Sequence, residues 1–134
     1  MNRARPSTPA MHPTFLLRLE AAVALALALL VYRHGGASWW WFAAGLLAPD
    51  LSMLGYLGGN TVGAWCYNLA HTYTLPFSLA AVAWLTGSSG LVPLAAVWCS
   101  HIALDRTLGY GLKLTTGFHH THLGAIGRQA RDRR

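Results

Sequence analysis

"SWWWFAAGLLAPDLSMLGYL", residues 38–57, holds three consecutive tryptophans, a long apolar run and one charge, Asp50. Working outward from it, no other formally charged residue occurs between His34 and Leu104. A water-soluble domain is about one quarter charged, whereas this chain of 134 residues is 10% charged and 54% hydrophobic. So long a stretch with one charge predicts a membrane protein. Its length leaves room for one domain, and Trp39–Trp41 match the aromatic belt of a membrane–water interface.

The flanking sequence reads the same way. Apolar segments run at about 14–32, 38–57, 61–84 and 91–113, each of roughly 19–24 residues, enough to cross a hydrocarbon core of about 30 Å. They lack the alternation of barrel strands, and a spanning segment must satisfy its own backbone, so each is expected to be a helix. The turns "RHGGAS", "GGN" and "TGSSG" are short enough for antiparallel neighbours. The expected fold is therefore an all-α integral membrane protein, an antiparallel bundle of four transmembrane helices, with Pro76 kinking the third. Residues 1–13, with three prolines and two arginines, read as a disordered N-terminal tail. Residues 114–134 read as a basic C-terminal tail. The first segment could pass for a signal peptide, but Arg18 and Glu20 beside it, and no clear small-residue cleavage site, favour a retained helix.

The formal net charge is +6, and it is concentrated at the ends. Four passes put Arg3, Arg5, Lys113, Arg128, Arg131, Arg133 and Arg134 on one side and Arg33 alone on the other. The positive-inside rule then makes both termini cytoplasmic, in a bacterial inner membrane. Short basic ends of this kind serve topology or contact with anionic lipid, so the bilayer is the expected partner and nucleic acid is not. A bundle this small could also form a homodimer. Cys66 and Cys99 fall in apolar runs and read as buried free thiols.

Depth turns scattered polar residues into a layer. At about 1.5 Å per residue, Asp50 lies roughly 10 Å and His71 roughly 15 Å from the cytoplasmic face. Asn68 shares a helix side with His71, His101 is near mid-membrane, Asp105 is one turn nearer the cytoplasm, and Arg18 and Glu20 enter from the same side. Ionisable groups facing lipid cost several kcal/mol, so these should turn inward and meet. His101 and Asp105, at i and i+4, share a helix face. They could chelate one divalent metal, as the histidines of H-E-x-x-H do, or form a hydrogen-bonded pair with Arg106 or Arg18 nearby. Asp50, after Pro49, needs a cation, a metal or a proton, and Arg18 is its obvious structural partner. Together Asp50, His71, His101 and Asp105 suit a zinc- or manganese-type ion. Arg18, Glu20, Asn68, Arg106, Tyr110 and His122 complete the polar layer. Arg106 is expected to point away as a counter-ion or toward the headgroups. His119 and His120 read as incidental, while His122 could fold back over the inner mouth. Gly55, Gly59 and Gly63 read first as turn residues.

The segments "LAPDLSMLGY", "YNLAHTYTLP", "HIALDRTLGYGLK" and "GFHHTHLG", in this order, resemble the small bacterial membrane family catalogued as domain of unknown function 4260, over about Arg18 to Gly124. His119 and His120 fall on variable positions of that pattern. The resemblance implies a multi-pass membrane protein of unestablished activity. More distantly, "PDLS", "CYNLAHT" and "HIALD" are similar to the P-D-x-D, H-R-x-x-T-H-S and H-x-x-x-D elements of inner-membrane metal-dependent hydrolases. Ser52 and Cys66 stand where that pattern has an aspartate and a histidine, which leaves ligands for one metal rather than two. The leading expectation is a metal-dependent hydrolase-like protein acting on a membrane-embedded ester or phosphoester. A carrier or proton relay, and a structural or partner-binding module, are the alternatives.

Overall fold

Residues 13–126 are described in the computed structural model. Residues 1–12, and with them Arg3 and Arg5, lie outside the described residues, as do Arg128, Arg131, Arg133 and Arg134. The first helix, α1 (Pro13–His34), starts on a proline, a residue suited to the first helical position because its missing N–H has no partner there anyway. By length and composition it is the one helix among the described residues that could cross a membrane. It packs antiparallel on the last helix, α5 (Leu91–Leu108). Arg18 Nε donates to the Thr107 carbonyl at one end (2.8 Å), and Tyr32 meets Ala96 and Val97 toward the other.

Ser38 caps α2 (Trp39–Leu46) by accepting the Trp40 N–H, and the Tyr32 hydroxyl donates to the Ser38 carbonyl at 2.6 Å. The second apolar segment is not one helix: after Leu47 it tightens into a 3-10 helix, Ala48–Gly58. Pro49 explains the change. It has no N–H to give, and Asp50 N–H reaches only three residues back, to Leu47 O at 3.2 Å. The Leu46 carbonyl is thereby released from the backbone ladder.

The third segment is also divided, into α3 (Asn60–Ala70) and α4 (Thr74–Thr86). The interruption lies at His71–Tyr73, upstream of Pro76, because a proline ring collides with the carbonyl four residues before it, here that of Thr72. Two carbonyls beside the break find side-chain donors instead. Trp98 Nε1 donates to Ala70 O at 2.7 Å and Arg106 Nη2 to His71 O at 3.2 Å. Gly59, at φ 101°, makes the turn between the 3-10 helix and α3. Gly55 and Gly63 are packing rather than turn residues: a Cβ on Gly63 would lie 2.2 Å from the Tyr56 ring, and one on Gly55 would lie 2.7 Å from Cys66 Cβ.

α5 ends at Leu108 on Gly109, which has φ 96°, so the fourth helix stops before the expected Lys113. Three short strands follow, β1 (Lys113–Leu114), β2 (Gly117–Thr121) and β3 (Gly124–Ala125), antiparallel in the order β1-β2-β3. Lys113 pairs with Thr121 and His120 with Ala125. The chain is thus mostly helical but not wholly so, and residues 113–125 are a built element rather than a tail. Asn68 holds it to α3, accepting Lys113 N–H at 2.7 Å and donating to Lys113 O at 2.9 Å. Lys113 Nζ lies 4.0 Å from the Phe118 ring centre, a cation–π contact.

Small residues fill the interior, among them Ala64, Ala83, Ala95, Ala96 and Ala103, while large apolar ones face outward. Trp40, Leu57 and Trp84 are 87%, 89% and 82% exposed. Both cysteines are free, but neither is buried as expected: Cys66 is exposed and Cys99 half-buried.

Candidate metal site

His101 projects from the middle of α5 and His71 from the C-terminal cap of α3, and both are buried. Each ring is fixed through Nδ1. His71 Nδ1 lies 2.8 Å from its own helix's Tyr67 carbonyl, and the Tyr67 ring stacks on the imidazole at 3.6 Å. His101 Nδ1 lies 2.5 Å from the Leu46 carbonyl, the one Pro49 releases. A carbonyl can only accept, so Nδ1 carries the proton in both rings and each neutral imidazole presents a bare Nε2.

Those two Nε2 atoms lie 2.9 Å apart. Asp50 Oδ1 is 3.4 Å from His71 Nε2 and 3.5 Å from His101 Nε2. Asp105 Oδ2 is 3.7 and 3.8 Å from the same two atoms, and accepts the Tyr67 hydroxyl at 3.1 Å. Lone pairs from two imidazoles and two carboxylates therefore converge. Such an arrangement is repulsive unless a cation sits among them, either a proton or a metal. Tetrahedral zinc with bonds of about 2.0–2.1 Å separates its ligand atoms by roughly 3.3 Å, close to the Asp50 distances. Asp50, His71 and His101 form a group that could hold a metal ion. Nδ1–H donation to a carbonyl is also how metal-binding histidines are usually oriented.

The remaining polar residues divide. Arg18 bonds Thr107 O and is not the partner of Asp50. Asn68 is a clamp on Lys113, and exposed Glu20 lines a cavity near Arg106 and His122. Arg106 does not reach away: one terminal nitrogen donates to the His71 carbonyl and the other lies 3.1 Å from His122 Nε2. His122 folds over this end of the bundle, its Nδ1 accepting the Leu112 N–H at 2.8 Å. Tyr110 lines a narrow cleft with Tyr67, His71 and Asp105. Ser52 and Cys66 are not part of the metal-capable group of Asp50, His71 and His101. Tyr67 escaped the sequence reading, although its i−4 spacing from His71 put it on that histidine's face.

Fold and site thus define a mostly helical protein with a buried histidine pair flanked by two carboxylates. The chain belongs to the family described as domain of unknown function (DUF4260), whose model matches residues 14–126. No curated protein and no solved structure gives a significant match.

Proposed function

We propose that this protein is a multi-pass membrane protein whose Asp50, His71 and His101 hold one divalent ion of zinc or manganese type, for hydrolase-like chemistry on a membrane-embedded ester or phosphoester. The observation that carries the reading is the meeting of two bare Nε2 atoms, each ring fixed by a carbonyl on Nδ1, beside Asp50. A divalent ion there would act as a Lewis acid and lower the pKa of water. Asp105, slightly further off and steadied by Tyr67, is positioned to accept a proton from that water. Asp50, with a side chain 37% exposed, marks the approach from outside. Outward-facing tryptophans and leucines, and a break at His71–Tyr73 that protein covers, support a bilayer setting. In it the four segments cross a bacterial inner membrane and both termini are cytoplasmic.

Elemental analysis of detergent-purified protein carrying His119→Ala and His120→Ala tests the metal. About one ion per chain is expected, falling at least about tenfold in His101→Ala and Asp50→Ala. A wild-type protein that takes up no metal on reconstitution would sink the reading. The second reading, a proton relay, draws on the 2.9 Å Nε2–Nε2 distance, which is that of a hydrogen bond sharing one proton. Proton flux into liposomes that vanishes in His71→Ala, without bound metal, would select it.

A further inference from the structure

Donors, rather than acceptors, converge on the other terminal nitrogen of Arg106. Leu112 N–H donates to His122 Nδ1 at 2.8 Å, so a neutral His122 carries its proton on Nε2. That Nε2–H lies 3.1 Å from Arg106 Nη1, which can only donate. Two N–H groups, one of them cationic, thus share a spot suited to an anion. Among the described residues no carboxylate is within ion-pair distance of Arg106, and its neighbour Asp105 is engaged by Tyr67.

Arg106 and His122 line one end of an open cavity of about 340 Å³, whose α1 wall includes Leu17, Ala21 and Ala24. Ala24 and Tyr73 also line a second, almost wholly apolar cleft of about 290 Å³, which continues between α1, α4 and α5 past Leu27, Phe77 and Ala96. The polar head site and the apolar slot thus adjoin at Ala24 and Tyr73. Glu20 lines the head site as well and is exposed, while Arg106 is half-buried.

We propose that these two adjoining spaces together bind a phosphate-bearing amphiphile, with the phosphate between Arg106 and His122 and the acyl chain in the cleft between α1 and α4. Phosphate oxygens accept from separately placed donors, and a guanidinium is the side chain best suited to them. The same Arg106 donates to the His71 carbonyl, so the headgroup is held one side chain from the histidine pair. The amphiphile is thereby the substrate class of the metal site, and only this last step rests on the proposed function.

The test titrates dodecyl phosphate, dodecanol and inorganic phosphate into the full chain in maltoside detergent, with binding read by equilibrium dialysis. Dodecyl phosphate is expected to saturate and to bind at least about tenfold more tightly than either control, a difference of about 1.4 kcal/mol. Arg106→Gln should weaken it about tenfold or more. Because that variant also loses the bond to His71, Ala24→Phe, which puts a ring where the two spaces adjoin, is the second variant. It should abolish dodecyl phosphate binding and leave metal content unchanged. Dodecanol or inorganic phosphate binding as tightly as dodecyl phosphate would overturn the proposal, as would unchanged affinity in both variants. Dodecyl phosphate binding by a wild-type protein that takes up no metal would uphold the proposal and defeat the metal reading alone.

Discussion

Tyr67 contributes to the histidine pair three times: its carbonyl orients His71, its ring stacks on that imidazole, and its hydroxyl donates to Asp105. Tyr67→Phe removes only the last of these. Hydrolysis of a chromogenic phosphodiester by the metal-loaded protein is expected to fall about tenfold, the usual cost of losing an orienting group around a metal site, with little change in metal content or melting temperature. An unaltered rate would show that Asp105 is not oriented through Tyr67. His122 titrates at the mouth of this region. Burial, and then the Arg106 guanidinium beside it, hold its pKa below the ordinary imidazole value. Once unfolded it would take up a proton more readily, so its neutral form contributes stability at neutral pH that is lost as pH falls through about 6.5 and below. The drop in melting temperature between about pH 7.5 and 5.5 should therefore be smaller in His122→Gln than in the wild type. An equal or larger drop would assign the pH dependence to other groups.

Each of the two helix breaks lies beside a proline and serves the site. Pro49 releases the Leu46 carbonyl that fixes His101 and turns Asp50 toward the pair, and the break before Pro76 leaves the His71 carbonyl to Arg106. Asp50 depends further on the seat of its 3-10 helix against α3, where Gly63 lies under the Tyr56 ring. Gly63→Ala would force a methyl group into that ring and should cost about 1–3 kcal/mol, as overpacking usually does. Thermal unfolding should show the loss, and weaker metal uptake should accompany it because the 3-10 helix carrying Asp50 must shift. A variant as stable as the wild type would show that the two elements separate freely.

Chain direction across the whole molecule is compatible with the proposed four passes. α1 and α3 run against α5, as Arg18–Thr107 with Tyr32–Val97 and Tyr67–Asp105 with Ala70–Trp98 require, while α2 runs with it, Gly45 meeting Val97 and Leu46 O meeting His101. In that topology the exposed ends at His34 and Ser89 share one face of the membrane, and Thr115 lies on the opposite one. Single cysteines at these positions, in a Cys66→Ser and Cys99→Ser background, test it with a membrane-impermeant maleimide on intact cells. Labelling is expected at positions 34 and 89 in intact cells and at 115 only after lysis. Labelling of all three without lysis would defeat the four-pass arrangement.

Helix content was readable from the sequence because long runs without charge or alternation leave the backbone few other ways to satisfy itself. His101 and Asp105 were readable as neighbours because a spacing of four places them on one helix face whatever surrounds them. Pro76 announced an interruption, and Pro49 carried the same signal, since the missing N–H is written in the residue itself. Which groups would take the released carbonyls was not local information. Only packing α5 against α2 brought His101 to Leu46 O, and only packing it against α3 and α4 brought Arg106 to His71 O rather than outward. Strands as short as residues 113–125 contain were equally hidden, because they depend on the Asn68 clamp 45 positions away. The sequence by itself determined the helical character and the inventory of polar groups. The tertiary structure decided which of them meet, because that depends on carbonyls and N–H groups whose availability is settled only when the helices break and pack.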